Sequence, residues 1–255
     1  MKKNYFLLVV FILLAQLTGA QSPVNAKGVK GVTVAGSTLQ ELANSLLTVT
    51  GVFVDANGNI YAVDAGHERV QKFFPGASSA ITVAGGYGGH RLGRASNQLQ
   101  TPNDVFVDGA GNVIVTGKFS STTDFDPGPG VTSLTPSSAD LYVAKFDPAG
   151  NFIWAKEIGG QNSDDSYGVT SDANGNVYVA GSFNGAIDVD PGPGVTTLNS
   201  VSGWDIIVVK LNSSGNFIWG KIYGAGGDDR MGSMVVPPSG LDRDGEVSCV
   251  QSWNR

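Results

Sequence analysis

The chain of 255 residues carries 16 basic and 22 acidic side chains, a formal charge of −6 dispersed along its length. That balance argues against a nucleic-acid partner, whose phosphates call for clustered Lys and Arg. One cysteine, Cys249, excludes an internal disulfide, and the 36 glycines follow no collagen-like triplet, so a fold of this size must rest on an apolar core.

Residues 1–20, MKKNYFLLVVFILLAQLTGA, read as a cleavable export signal. Lys2 and Lys3 open it, an apolar run spans Phe6 to Ala15, and Thr18 and Ala20 occupy the small-residue cut positions before Gln21. The run is shorter than the roughly 20 residues a helix needs to cross a bilayer, so no membrane span is expected after removal of the signal. The expected location is the cell surface or the medium. Residues 31–36, GVTVAG, read as a strand, and 37–47, STLQELANSLL, as a short helical turn.

From Gly51 onward, internal repetition governs the reading. GVFVDANGNIYAVD (51–64) returns as DVFVDGAGNVIVTG (104–117) and GVTSDANGNVYVAG (168–181). DLYVAKFDPAGNFIWAKEIGG (140–160) returns as DIIVVKLNSSGNFIWGKIYGA (205–225). Each copy is a strand rich in Val, Ile, Tyr and Phe, a tight Gly-Asn turn and a second strand. Two hairpins per unit give four antiparallel strands, and tandem four-stranded units predict β-propeller blades. Three full blades are expected at about 51–86, 104–160 and 168–224. DDRMGSMVV (228–236) matches DDSYGVTSD (164–172) and opens a fourth. The predicted fold is all-β: about three full four-stranded blades in an incomplete arc, preceded by a signal-peptide helix. A closed ring typically has 4–8 blades, so further blades or another chain are expected to cover the exposed terminal faces. After Gly240 the repeat pattern gives way to LDRDGEVSCVQSWNR. That break makes a truncated, non-functional fragment of a longer repeat protein one reading of the chain.

GVFVDANGNIYAVDAGHERVQKF (51–73) and the join ITVAGGYGGHRLGRASNQLQTPNDVFVD (81–108) resemble NHL repeats. DFDPGPGV (124–131), GNFIWAK and DANGNVYVAGSF resemble the SBBP repeat. Both are propeller families. The division implied is a signal at 1–20, an NHL-like region at 31–100, SBBP-like repeats at 101–236 and an irregular tail at 237–255. The resemblance implies a binding or scaffold module without catalytic role, with a protein or glycan as partner. The alternative it carries is an NHL-like lyase or hydrolase.

Candidate chemistry is sparse. Asp124 and Asp126, with their copies Asp188 and Asp190 in DVDPGPGV (188–195), pair two carboxylates at i, i+2 before Pro-Gly-Pro-Gly. On an extended strand both point to one side, and loop carbonyls would complement them as hard-oxygen ligands for calcium. A rigid turn set by Pro and Gly is the other reading. No other cofactor is expected. DANGN at 55–59 and 172–176 opens like a calcium loop but lacks the later ligands, so hairpin turns are expected there. His67 and His90 are the two histidines and fall in one blade, which offers no zinc set. Trp154 and Trp219, each in NFIW, are expected to pack between blades. No spacing suggests a catalytic residue.

Overall fold

Five hairpins share one local device, and it dictates where their strands stop. Asp55, Asp108, Asp147, Asp172 and Asn212 each open a five-residue turn that ends in Gly-Asn. Asp55 Oδ1 accepts the amides of Asn57 and Asn59 at 2.9 Å, and Asn59 Nδ2 donates to its Oδ2 at 2.7 Å. The same bonds recur at Asp108, Asp147 and Asp172, and Asn212 reproduces the two amide bonds. The fourth residue of each turn has φ between +77° and +88°, a region only glycine enters without strain.

The computed structural model describes residues 46–77, 79–85, 99–231, 234, 236 and 239. Blade 1 is β1 (Val49–Val54), β2 (Ile60–Asp64), a 3-10 turn (Ala65–His67), β3 (Arg69–Phe73) and β4 (Ala80–Gly85), paired antiparallel in chain order. Blade 2 begins with β5 (Pro102–Val107) and β6 (Val113–Phe119). A separate small ladder follows, β7 (Thr123–Asp124) with β8 (Ser133–Leu134), before β9 (Asp140–Phe146) and β10 (Phe152–Gly160) complete the blade. Blade 3 is β11 (Asp165–Ser171), β12 (Val177–Asp188), β13 (Thr197–Leu211) and β14 (Phe217–Tyr223). These three units match the expected boundaries, and the described residues form an all-β array of three propeller-type blades.

Two features were not foreseen. In blade 3 the ribbon that stands apart in blade 2 is continuous with β12 and β13, which therefore run to 12 and 15 residues. In addition, Gly159 and Gly160 of β10 pair with Asp188 and Ile187 of β12. This pairing joins blades 2 and 3 in one hydrogen-bonded sheet.

Strand alternation lets one strand serve two cores. On β9, Tyr142, Ala144 and Phe146 pack with Tyr61, Val63 and Val70 of blade 1. Leu141 and Val143 pack on the opposite side with Val177, Val179 and Ile207 of blade 3. On the far face of blade 3, Tyr178, Ile206, Val208 and Trp219 are covered by Met231 and Val236. The first strands of successive blades lie side by side and are linked by a repeated bond. Thr50 Oγ1 donates to Pro102 O at 2.9 Å, and Asn103 Nδ2, one blade on, donates to Ser166 O.

The segment after blade 3 departs from its expected alignment by one residue. Asp229 N–H donates to Trp204 O at 2.6 Å, as Asp164 N–H donates to Ala139 O at 2.7 Å. Asp229, not Asp228, thus takes the place of Asp164. The signal segment 1–20, GVTVAG at 31–36, most of 37–47, His90 and the tail from 240 lie outside the described residues. Among the described residues no helix is long and apolar enough to cross a membrane.

Candidate functional site

The Asp-x-Asp loops are built from their own amides. Asp124 Oδ1 accepts the amides of Asp126 at 3.1 Å and Thr132 at 2.8 Å, and Asp188 Oδ1 accepts those of Asp190 at 3.1 Å and Thr196 at 2.9 Å. Asp126 Oδ1 accepts Gly128 N–H at 2.7 Å, and Asp190 Oδ1 accepts Gly192 N–H at 2.9 Å. Between the carboxylates, Phe125 and Val189 are buried and anchor the loop. Gly130 and Gly194 leave no room for a Cβ beside Asp126 and Asp190. The residue order Asp-x-Asp-Pro-Gly-Pro-Gly thus makes a loop wrapped on two carboxylates, with Val131 and Val195 exposed at its end. Each loop brings two acidic side chains, against the 6–8 oxygens calcium takes. Among the described residues no group of three or more His, Cys, Asp or Glu is placed to hold a metal ion.

His67 lies against Asp64, Nδ1 to Oδ2 at 2.7 Å, and Arg69 Nε donates to the same oxygen at 3.0 Å. The buried Asp64 carboxylate ties this corner of blade 1 together, since its Oδ1 also accepts Leu47 N–H at 3.0 Å. Trp154 and Trp219 are buried, and Trp154 Nε1 donates across the blade boundary to Ser213 O at 3.1 Å. Both act as packing residues.

A cavity of about 490 Å³ opens where the first strands of the three blades converge. Val52, Phe53, Phe106 and Val169 form its apolar wall, Met234 borders it, and Asp104 supplies a carboxylate. The Phe53 and Phe106 rings lie 4.8 Å apart. Asp104 Oδ2 accepts Val169 N–H at 3.0 Å. Burial raises the Asp104 carboxyl above its ordinary range, and the amides of Val169 and Val105 pull it partly back. Sequence reasoning missed Asp104, although one signal was present. The repeats carry glycine at this position, Gly51 and Gly168, and only the second blade carries a carboxylate.

A second cluster also escaped the sequence. Asp140 at the start of β9, Glu157 on β10 and Asp164 in the crossover to β11 come together although 24 residues separate the first from the last. Burial first, then the charge of Asp140, pushes Asp164 up to about 8. Burial, then the charge of Asp140 and a hydrogen bond with it, raises Glu157 to about 7.

Residues 153–187 match the model of the SBBP beta-propeller repeat. The chain carries an SBBP-type propeller repeat. The SBBP match runs from within β10 to the end of β12, so it spans the crossover between blades 2 and 3. An uncharacterized WD repeat-containing protein of Acanthamoeba polyphaga mimivirus is 30% identical over 131 residues, which cover 45% of this chain and 9% of that protein. WD repeats are likewise four-stranded propeller blades, so this likeness agrees with the SBBP assignment. The chain thus spans a small part of the curated relative it matches.

Proposed function

We propose that this chain is a non-catalytic binding or scaffold module of a propeller array, exported and working at the cell surface or outside the cell. The observation that carries the binding role is the cavity of about 490 Å³ at the convergence of the first strands, walled by Phe53 and Phe106 and bordered by two acidic residues, Asp104 and Asp172. A concavity with apolar walls and a few polar groups is the usual form of a recognition site. The SBBP match supports a propeller host for it, and propellers are scaffolds on which function is grafted site by site. Export rests on the Lys-Lys start, short apolar run and Thr-Gly-Ala cut of residues 1–20.

The partner is a protein or a glycan, and one experiment addresses location and partner together. The full chain is expressed in a bacterial host, and intact mass is measured on the exported fraction. A mature chain beginning at Gln21 is expected, and a chain retained in the cytosol with Met1 would overturn export. The purified mature chain is then bound to whole cells treated with protease or with glycosidase. Loss of binding after one treatment assigns the partner class. Phe53→Ala with Phe106→Ala should weaken that binding, and undiminished binding would remove the cavity from the proposal.

A further inference from the structure

The buried carboxyls at the crossover from blade 2 to blade 3 are not explained by blade packing or by the proposed binding site. The crossover folds back over the start of β9, where Asp164 N–H donates to Ala139 O. Asp140 and Asp164 become 0% and 1% exposed. Asp140 Oδ2 accepts Ser137 N–H at 3.0 Å. Asp140 Oδ1 and Asp164 Oδ2 find no donor among the described residues. Glu157 lies within hydrogen-bonding reach of Asp140, an arrangement two carboxyls adopt when one carries a proton. The cation that faces the crossover, Lys118 on β6, favours the charged form of Asp164 without outweighing burial, and the neighbouring Asp165 opposes it. Lys118 Nζ donates to Asp165 Oδ1 at 2.6 Å and Ser163 Oγ at 2.8 Å. The Gly160 amide reaches both aspartates and favours their charged forms, without outweighing burial. Adjacent carboxyls whose nearby cation is paired with a fourth, Asp165, cannot all ionise, and they titrate as a unit.

We propose that Glu157, Asp140 and Asp164 form a proton-holding latch on this crossover, closed while the cluster keeps its protons and loosened as they leave. All three carboxyls are raised by burial in the folded chain. A raised acid contributes stability that is fully present below its unfolded value, near 4, and is lost as pH climbs through its folded value. The window here ends at about 7 for Glu157 and about 8 for Asp164. The cluster adjoins the ladder between the blades, because Gly159, which pairs with Asp188, has no space for a Cβ beside the Asp140 carboxyl. Displacing that carboxyl therefore pushes on the ladder.

The next crossover shows why this one is the sensitive copy. Asp205 stands where Asp140 does, takes Val201 N–H at 2.6 Å on Oδ2 and has an Oδ1 without a donor among the described residues. Gly224 replaces Gly159, and Asp229 replaces Asp164. However, Ile222 stands where Glu157 does, and Asp229 is half-buried with its Oδ2 on Ala225 N–H at 3.1 Å. The cluster of three carboxyls belongs to the blade 2–3 crossover.

The test uses the full chain, as wild type, Asp164→Asn, Glu157→Gln and the exposed-turn control Asp147→Asn. Urea unfolding is followed from pH 5 to 9, with infrared spectra and hydrogen exchange on the folded protein. For each proton held on folding, the wild-type folding constant should fall about tenfold per pH unit between 5 and 7. Asp164→Asn should remove about one such factor of ten per unit, and Asp147→Asn should remove none. A band of buried protonated carboxyl at pH 6 should weaken in Asp164→Asn. Exchange at residues 159–166, corrected for the intrinsic rate, should accelerate from pH 6 to 9 more than in the rest of blades 2 and 3. If Asp164→Asn does not fold, Glu157→Gln supplies the same readouts. Absence of the protonated-carboxyl band at pH 6, an unchanged pH slope in the variants, or uniform exchange across the blades would each overturn the latch.

Discussion

A single methyl group at Gly181 tests how tightly the chain passes from one blade to the next. Gly181 lies in the second strand of blade 3, and Gly117 occupies the same place in blade 2. Both face an irregularity in the first strand, between Ser166 and Gly168 or between Pro102 and Asp104. There a carbonyl of the incoming chain comes in close. A Cβ on Gly181 would stand 2.5 Å from Asp165 O, and one on Gly117 would stand 2.6 Å from Thr101 O. Carbon and oxygen do not approach below about 3 Å without displacement, and a Cβ on Gly181 would also stand 2.4 Å from Cδ2 of the buried Leu141, so backbone and core side chain both stand in its way. Overpacking of this kind costs about 1–3 kcal/mol. Alanine recovers about 0.4–1 kcal/mol by restricting the unfolded chain, leaving a net loss of about 1–2 kcal/mol for Gly181→Ala. At about 2–4 °C per kcal/mol for a domain of this size, the midpoint should fall by roughly 2–8 °C. Gly109→Ala is the control, because a Cβ there meets nothing within 4 Å, and it should be neutral or slightly stabilising. Thermal and urea unfolding followed by circular dichroism measure both variants. Equal stability of Gly181→Ala and Gly109→Ala would refute the claim that the carbonyl approach requires glycine at position 181.

Other expectations follow from the turns and loops. Asp172→Ala removes the acceptor for two amides, for Asn176 Nδ2 and for the buried Tyr178 hydroxyl, so urea unfolding should show a loss of about 2–4 kcal/mol, and a smaller one for Asn212→Ala, whose bonds are exposed. Burial would raise Asp108 and Asp172, but the hydrogen bonds of Asn112 with the Lys145 ion pair, and those of Asn176, Tyr178 and Asn174, together outweigh it and hold both low; stability from depressed acids is present above pH 4 and lost as pH falls below it, so the thermal midpoint should drop from pH 4 to pH 2. Calcium titration calorimetry on wild type and on Asp124→Ala with Asp188→Ala should give weak heats in both, and micromolar binding lost in the variant would establish the Asp-x-Asp loops as calcium sites.

The readable parts of this fold are those whose chemistry is local. Asp-x-x-Gly-Asn specifies its turn with its own five residues, so every hairpin built on it was visible in sequence, and blade boundaries followed. The loop at Asp124 to Val131 is similar, since its bonds reach no farther than Thr132. What escaped depends on distant chain. Asp140 and Asp164 stand 24 positions apart with no spacing that links them, and only the fold of the crossover over β9 buries them together. The ladder between Gly159–Gly160 and Ile187–Asp188 forms because β12 is long, and nothing in GSFNGAID announces that the strand continues. The register of 228–236 misled because a repeated Asp-Asp pair offers two alignments, and only the bond from Asp229 to Trp204 chooses between them.

The link between first strands has a direction. Each of its two copies runs from a side chain of one blade, Thr50 or Asn103, to a carbonyl of the blade that follows, Pro102 or Ser166. A coupling with distinct donor and acceptor ends cannot be satisfied by turning one partner around a two-fold axis, because that would place donor against donor. Contacts of this type are heterologous, and they propagate head to tail until they close or run on. Blade 2 carries both ends of the coupling, the acceptor at Pro102 and the donor at Asn103, in adjacent residues of one strand. The same polarity means that two such chains meeting through these strands would extend one another in series rather than form a symmetric pair.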